Sequence, residues 1–198
     1  MRDRHSNVAT VTNRPRPILH VEDDPDDVFL LQQALLKAGV DNPLQVATDG
    51  REALDYLSGT GRFGDRRQFP LPELVLLDFN LPNLSGLQVL QWIRQKLGPG
   101  IVVVLLTGSS DETEIEAAYR FGANAFIVKP SRASELIALA KGIKDFWLTY
   151  NTTPEEARPQ AALASPVCGR RRARLTMKPR RSLGRRPRGE WNHVGLYK

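Results

Sequence analysis

The chain has a single cysteine, Cys168, so an internal disulfide framework and a cysteine-ligated zinc site are both excluded. Three scattered histidines argue against a His-rich metal centre. No apolar run approaches the roughly 20 residues that a membrane-spanning helix needs. Residues 1–16 lack an apolar stretch and do not read as a secretory signal. What remains, over 198 residues at 41% hydrophobic and 25% charged, is the composition of one globular domain with or without tails. The cysteine usage fits a reduced, cytoplasmic compartment.

The net charge of +6 is unevenly spread. Four arginines and one aspartate give residues 1–16 a charge of +3, and twelve Lys or Arg against three Glu give residues 152–198 a charge of +9. Residues 17–151 are therefore left at −6. The basic character belongs to the ends, and the acidic centre does not suggest a nucleic-acid surface.

Within 17–151 two patterns alternate five times. Short apolar runs occur at 18–21, 44–47, 74–77, 101–106 and 125–128. The runs at 74–77 and 101–106 are apolar at every position, as central parallel strands require when helices cover both faces. Between the runs lie helical patterns. The first opens on Asp24-Pro25 and repeats Val28, Leu31 and Leu35. The second carries Ala53, Leu54 and Leu57, the third Leu87, Leu90 and Ile93, and the fourth Ile115, Ala118 and Tyr119. The fifth is a stripe of Leu136, Leu139, Ala140, Ile143, Phe146, Trp147 and Tyr150 over about four turns. This alternation predicts one α/β domain with a parallel sheet. The stretch from Gly59 to Pro72 reads as an exposed polar loop.

In an open parallel sheet, sites form beyond the carboxyl ends of the strands. The first run ends in Glu22-Asp23-Asp24, the third in Asp78, the fourth in Thr107 and the fifth in Lys129-Pro130. Each alone has an ordinary structural explanation as a cap or a solvated turn. Together they place carboxylates, a hydroxyl and an ammonium on one rim, and clustered carboxylates repel unless a cation sits among them. The chemistry that fits best is phosphoryl transfer to an aspartate, with Mg²⁺ neutralising the incoming charge. The chain has no P-loop-type glycine-rich sequence, so a nucleotide is not the expected phosphoryl carrier.

These residues carry a resemblance. Val21-Glu22-Asp23-Asp24, Leu77-Asp78-Phe79-Asn80-Leu81-Pro82 with Ser85-Gly86, Leu106-Thr107-Gly108 and Val128-Lys129-Pro130 resemble the motifs of the response-regulator receiver domain, in order, over about residues 17–150. The resemblance implies a flavodoxin-like (βα)5 three-layer sandwich with a five-stranded parallel sheet of order 2-1-3-4-5. It implies a signalling protein that is no enzyme beyond catalysing its own phosphorylation and dephosphorylation. Asp78 would accept a phosphoryl group from a histidine kinase. Asp23, Asp78 and the Asn80 backbone would bind Mg²⁺, with Glu22 acting through water. Lys129 and Thr107 would hold the phosphoryl group. Thr107 and Phe126 would be the switch pair, and Asn80 and Ser109 would tune dephosphorylation. The loop 59–72 and the sequence 141–148 further resemble single-domain receivers partnered with cyanobacterial and bacterial phytochrome histidine kinases.

Other classes fit less well. An aspartyl-phosphate phosphatase would want a second acid where Asn80 stands. A phosphorylation-independent adaptor would not need the full acidic set with Lys129. A flavodoxin would want Ser, Thr and Gly where Glu22-Asp23-Asp24 stand. Residues 1–16 read as a disordered basic arm and 152–198 as a disordered Arg-rich tail that phosphotransfer does not need. The clusters Arg170–Arg172 and Arg180–Arg181 give nucleic-acid binding as the alternative output. The fourth helix, strand five and the fifth helix, with Phe146, Trp147 and Tyr150, are expected to form a partner face, most directly a homodimer contact.

Overall fold

The five apolar runs become five strands, because each alternates its side chains between two helix-covered faces. The computed structural model describes residues 15–152, so the expectations for the basic arm and the Arg-rich tail fall almost wholly outside the described residues. The strands are β1 (Ile18–Val21), β2 (Leu44–Ala47), β3 (Leu74–Asp78), β4 (Val102–Thr107) and β5 (Ala125–Val128). All pair in parallel, in the order β2-β1-β3-β4-β5. The helices are α1 (Pro25–Lys37), α2 (Gly50–Ser58), α3 (Gly86–Lys96), α4 (Glu112–Arg120) and α5 (Ala133–Ile143). This is the three-layer (βα)5 sandwich expected from the sequence. Among the described residues no helix is long and apolar enough to cross a membrane.

The two faces of the sheet build two cores. Leu19, Val21, Val75, Leu77, Val103 and Leu105 pack against α2 and α3, with Ala118 from α4. Ile18, Leu74, Leu76, Val102, Val104 and Leu106 pack against α1 and α5. Every residue of β3 and β4 is buried, including Asp78 and Thr107 at the ends of their apolar runs. Burial of this kind is worth about 1.5–3 kcal/mol per large aliphatic side chain.

Local capping starts the helices where the sequence places them. Asp24 Oδ1 accepts from the Asp26 amide at 2.8 Å, and Asp49 Oδ1 from the Glu52 amide at 2.7 Å. Ser85 and Gln88 form a reciprocal capping box at the start of α3. Gly86 follows at once. A Cβ there would lie 2.1 Å from the Asp78 carbonyl oxygen, so only glycine lets α3 close against the end of β3.

Three expectations are corrected. The loop 59–72 is not simply exposed. Its polar and glycine-rich composition conceals two aromatics that pack on α2: Phe63 and Phe69 meet Tyr56 edge-on, with ring centres at 5.2 and 6.2 Å. Arg66 clamps the loop by donating to the backbone carbonyls of Tyr56, Leu57 and Phe69. On α4, the expected face of Ile115, Ala118 and Tyr119 buries only Ala118, and Tyr119 is 53% exposed. The expected stripe of the fifth helix does not persist. After Ile143 the chain continues as a wider π-helical turn over Lys144–Tyr150. Its i→i+5 bonding takes more residues per turn and rotates the later positions off the stripe. Phe146 and Tyr150 are exposed, whereas Trp147 packs against the α1–α5 core.

The ends of α3 and α4 away from the carboxyl rim are joined through one side chain. Arg94 donates to the carbonyls of Gly98, Ile101 and Gly122 and to Asn124 Oδ1. That same oxygen accepts from the Val103 amide at 2.8 Å.

Candidate functional site

Parallel register brings the strand ends into one rim. Val21 lies beside Leu77, Asp78 beside Leu106, and Thr107 beside Val128. Asp78 is the last residue of β3 and Thr107 the last of β4, while Glu22 and Lys129 follow β1 and β5 directly. The central strands β3 and β4 are apolar up to Asp78 and Thr107, so their polar groups gather where the helices part.

Glu22, Asp23 and Asp78 each bring a carboxylate oxygen within 4.8 Å of the others. Glu22 and Asp78 are buried and Asp23 is exposed. Burial raises the pKa of Glu22 and of Asp78 above the ordinary carboxylate range, against the pull of Lys129. For Asp78 the neighbouring Asp23 charge adds to the rise. An all-oxygen cluster whose charges are poorly solvated suits a hard divalent cation.

Lys129 reaches this cluster from β5. Its Nζ lies 2.6 Å from Glu22 Oε2, 2.8 Å from Asp27 Oδ2 and 3.4 Å from Asp78 Oδ1. Burial on its own favours the neutral amine, but hydrogen bonds to Asp27 and Glu22 and the Asp78 charge overcome it, so the pKa is raised and the ammonium persists. Thr107 is fully buried, and its Oγ1 accepts from the Ser109 amide at 3.1 Å. Ser109 Oγ in turn accepts from the Asp111 amide at 3.2 Å, ahead of α4. Phe126 is half-buried and meets Phe79 edge-on, with ring centres 6.3 Å apart. Asn80 is exposed, two residues past Asp78. His20, the third residue of β1, is 1% exposed. Burial, then the Lys129 charge, lowers its pKa to about 4, so the ring is neutral.

Glu22, Asp23, Asp78, Thr107 and Lys129 thus share the rim, with Asn80, Ser109 and Phe126 adjoining it, whereas Phe146, Trp147 and Tyr150 lie on the turn after α5. Two neighbours were missed. Phe79 is the ring against which Phe126 rests. Asp27 is the second hydrogen-bond partner of Lys129. A signal for Asp27 was present: it stands four residues before Leu31 and eight before Leu35, so an acid opens the inward stripe of α1.

Comparison with known proteins agrees with this arrangement. Residues 18–141 match the family model described as the response regulator receiver domain. The response regulator Rcp1 of Synechocystis sp. is 35% identical over 144 residues, covering 72% of this chain and 96% of that protein. The phosphorylated cyanobacterial phytochrome response regulator RcpA has a similar structure, with a TM-score of 0.65 and 35% identity over 71% of this chain and 99% of its own. The Mn(2+)-bound form of Rcp1 matches with a TM-score of 0.63 and 35% identity over 71% of this chain and 99% of its own.

Proposed function

This chain belongs to the response regulator receiver family, and from that premise we propose that it is a stand-alone phosphoacceptor whose acceptor is Asp78. It is a signalling protein of two-component systems, a class whose partners are histidine kinases. The observation that carries the reading is the buried Asp78 carboxylate between two further carboxylates and the Lys129 ammonium.

In the reaction an Asp78 carboxylate oxygen bonds to phosphorus as the donor's bond to that phosphorus breaks, and the donor's imidazole or carboxylate leaves. Glu22, Asp23, Asp78 and the Asn80 carbonyl would hold Mg²⁺, which when bound offsets the charge of the phosphoryl oxygens. Lys129 presents its ammonium to the transferred group. Thr107 exchanges its bond from the Ser109 amide for one that its hydroxyl donates to a phosphoryl oxygen. Its departure from that position gives the half-buried Phe126 ring room to turn inward. Asn80 and Ser109 are the residues assigned to tune how fast the chain removes its own phosphoryl group.

A phytochrome histidine kinase is the proposed donor, supported by the likeness to the cyanobacterial phytochrome response regulator RcpA, and the proposed location is the cytoplasm. The proposed output face comprises α4, β5 and α5, as a homodimer contact. Exposed Tyr119 on α4, Val128 on β5, and Phe146 and Tyr150 on the turn that continues α5 support it, since each leaves apolar surface uncovered.

The test is phosphorylation by a small-molecule donor with and without Mg²⁺. Labelling should require Mg²⁺ and vanish in Asp78→Asn. Undiminished labelling in that variant would assign the acceptor elsewhere.

A further inference from the structure

One charged group at the rim has no part in the reading above. Asp27 lies in the first turn of α1, and its Oδ2 is 2.8 Å from Lys129 Nζ. The ammonium has three N–H donors. Two are taken up at full hydrogen-bond length by Glu22 and Asp27, while the 3.4 Å separation from Asp78 is that of an ion pair without a good hydrogen bond. The proposed acceptor is therefore the least well served of three carboxylates that share one cation.

The three are not equivalent. The Glu22 side chain is 2% exposed, and losing Lys129 would leave a buried charge with no water to replace the contact. The Asp27 side chain is 41% exposed, so water can solvate it as Lys129 departs. Of the two close partners, Asp27 is the one that can let go at low cost.

We propose that Asp27 is a positioning residue that acts through Lys129, drawing the ammonium toward α1 in the resting protein and competing for it with a phosphoryl group on Asp78. This rests on the reading of Asp78 as the acceptor. The exchange has a second effect. Asp27 belongs to α1 and Lys129 follows β5, so release of their contact removes the ion pair that ties the start of α1 to the end of β5.

The test uses the full chain, Mg²⁺ and beryllofluoride, a phosphoryl mimic that requires no donor, with binding followed by fluorine NMR. Asp27→Asn keeps the shape and removes the competing charge, and it should bind the mimic about threefold more tightly, as expected for loss of a partly exposed ion pair. Asp26→Asn removes an exposed charge one residue away and should change affinity less than about twofold. Asp27→Glu restores the charge and should return affinity toward that of the parent. In the unmodified chain, the Asp27 carboxyl carbon resonance should shift when the mimic binds. Equal or weaker binding by Asp27→Asn, the same gain in Asp26→Asn, or an Asp27 resonance that does not respond would each overturn the proposal. Absence of mimic binding by the unmodified chain would overturn the reading of Asp78 together with it. Normal binding by that chain, matched by Asp27→Asn, would overturn only the role of Asp27.

Discussion

Helices α3 and α4 each follow a strand that ends in a residue of the site, yet they are held very differently. α3 follows Asp78 and buries Val89, Leu90 and Ile93 completely. Its start is closed by the Ser85–Gln88 capping box and by Gly86 against the Asp78 carbonyl. α4 follows Thr107 and buries only Ala118. Gly108, the counterpart just past the strand end, has open space where a Cβ would stand. Asp78 thus lies beside a closely packed helix, whereas Thr107 adjoins the helix that buries only one residue. A reaction that needs aligned atoms gains from the first, and a change of surface needs the second.

Single substitutions can break this contrast. The largest effect is expected at Gly86→Ala, whose Cβ meets backbone that cannot swing aside. It should cost about 3 kcal/mol, against about 0.5 kcal/mol or less for Gly108→Ala, in paired urea unfolding curves. Comparable losses from the two variants would mean that the two strand ends are equally constrained. Truncation of the helix faces comes next. Ile93→Ala should cost about 3 kcal/mol and Ile115→Ala about 1 kcal/mol in the same assay, because the first leaves a closed cavity and the second a partly solvated one.

A third test uses pH on the well-packed side of the sheet. Burial raises the Tyr56 pKa to about 12 from an ordinary 10. The native state keeps this proton where the unfolded chain releases it. Its contribution is therefore complete below pH 10 and is lost as pH climbs from 10 to 12, by up to about 2 kcal/mol. Tyr56→Phe should flatten that part of the stability curve. Tyrosinate absorbance should place the Tyr56 titration above the ordinary tyrosine value of 10. The smallest effects sharpen the comparison by showing no contrast at all. Ser85→Ala and Asp111→Ala each remove one N-cap and should each cost about 1 kcal/mol, since capping depends on the local turn and not on how tightly the helix packs.

The sheet and its rim were legible because their signals are local and unbroken. Apolar runs such as 74–77 close abruptly on Asp78, and parallel pairing then carries every such ending to one edge. What escaped depended on distance or on a change of helical pitch. The Asp27–Lys129 contact joins residues 102 positions apart, and nothing in the order of residues pairs them. The rotation of Phe146 and Tyr150 off their stripe follows from the π-helical turn, whereas a constant period of 3.6 keeps them aligned. Phe63 and Phe69 were diluted among polar neighbours in a stretch that composition alone assigns to solvent.

The join between α3 and the strand-side end of α4 has a mechanical reading. Arg94 and Asn124 tie Gly98, Ile101, Gly122 and Val103 into one knot just beyond the C-terminal end of α4. At the other end, the link from Thr107 to α4 runs through the bonds at Ser109 and Asp111. α4 is therefore moored beyond its C-terminal end to α3 and β4, while its N-terminal end is linked to Thr107 through short-range bonds alone. A displacement of Thr107 would reach α4 at its first turn, with the moored end resisting it.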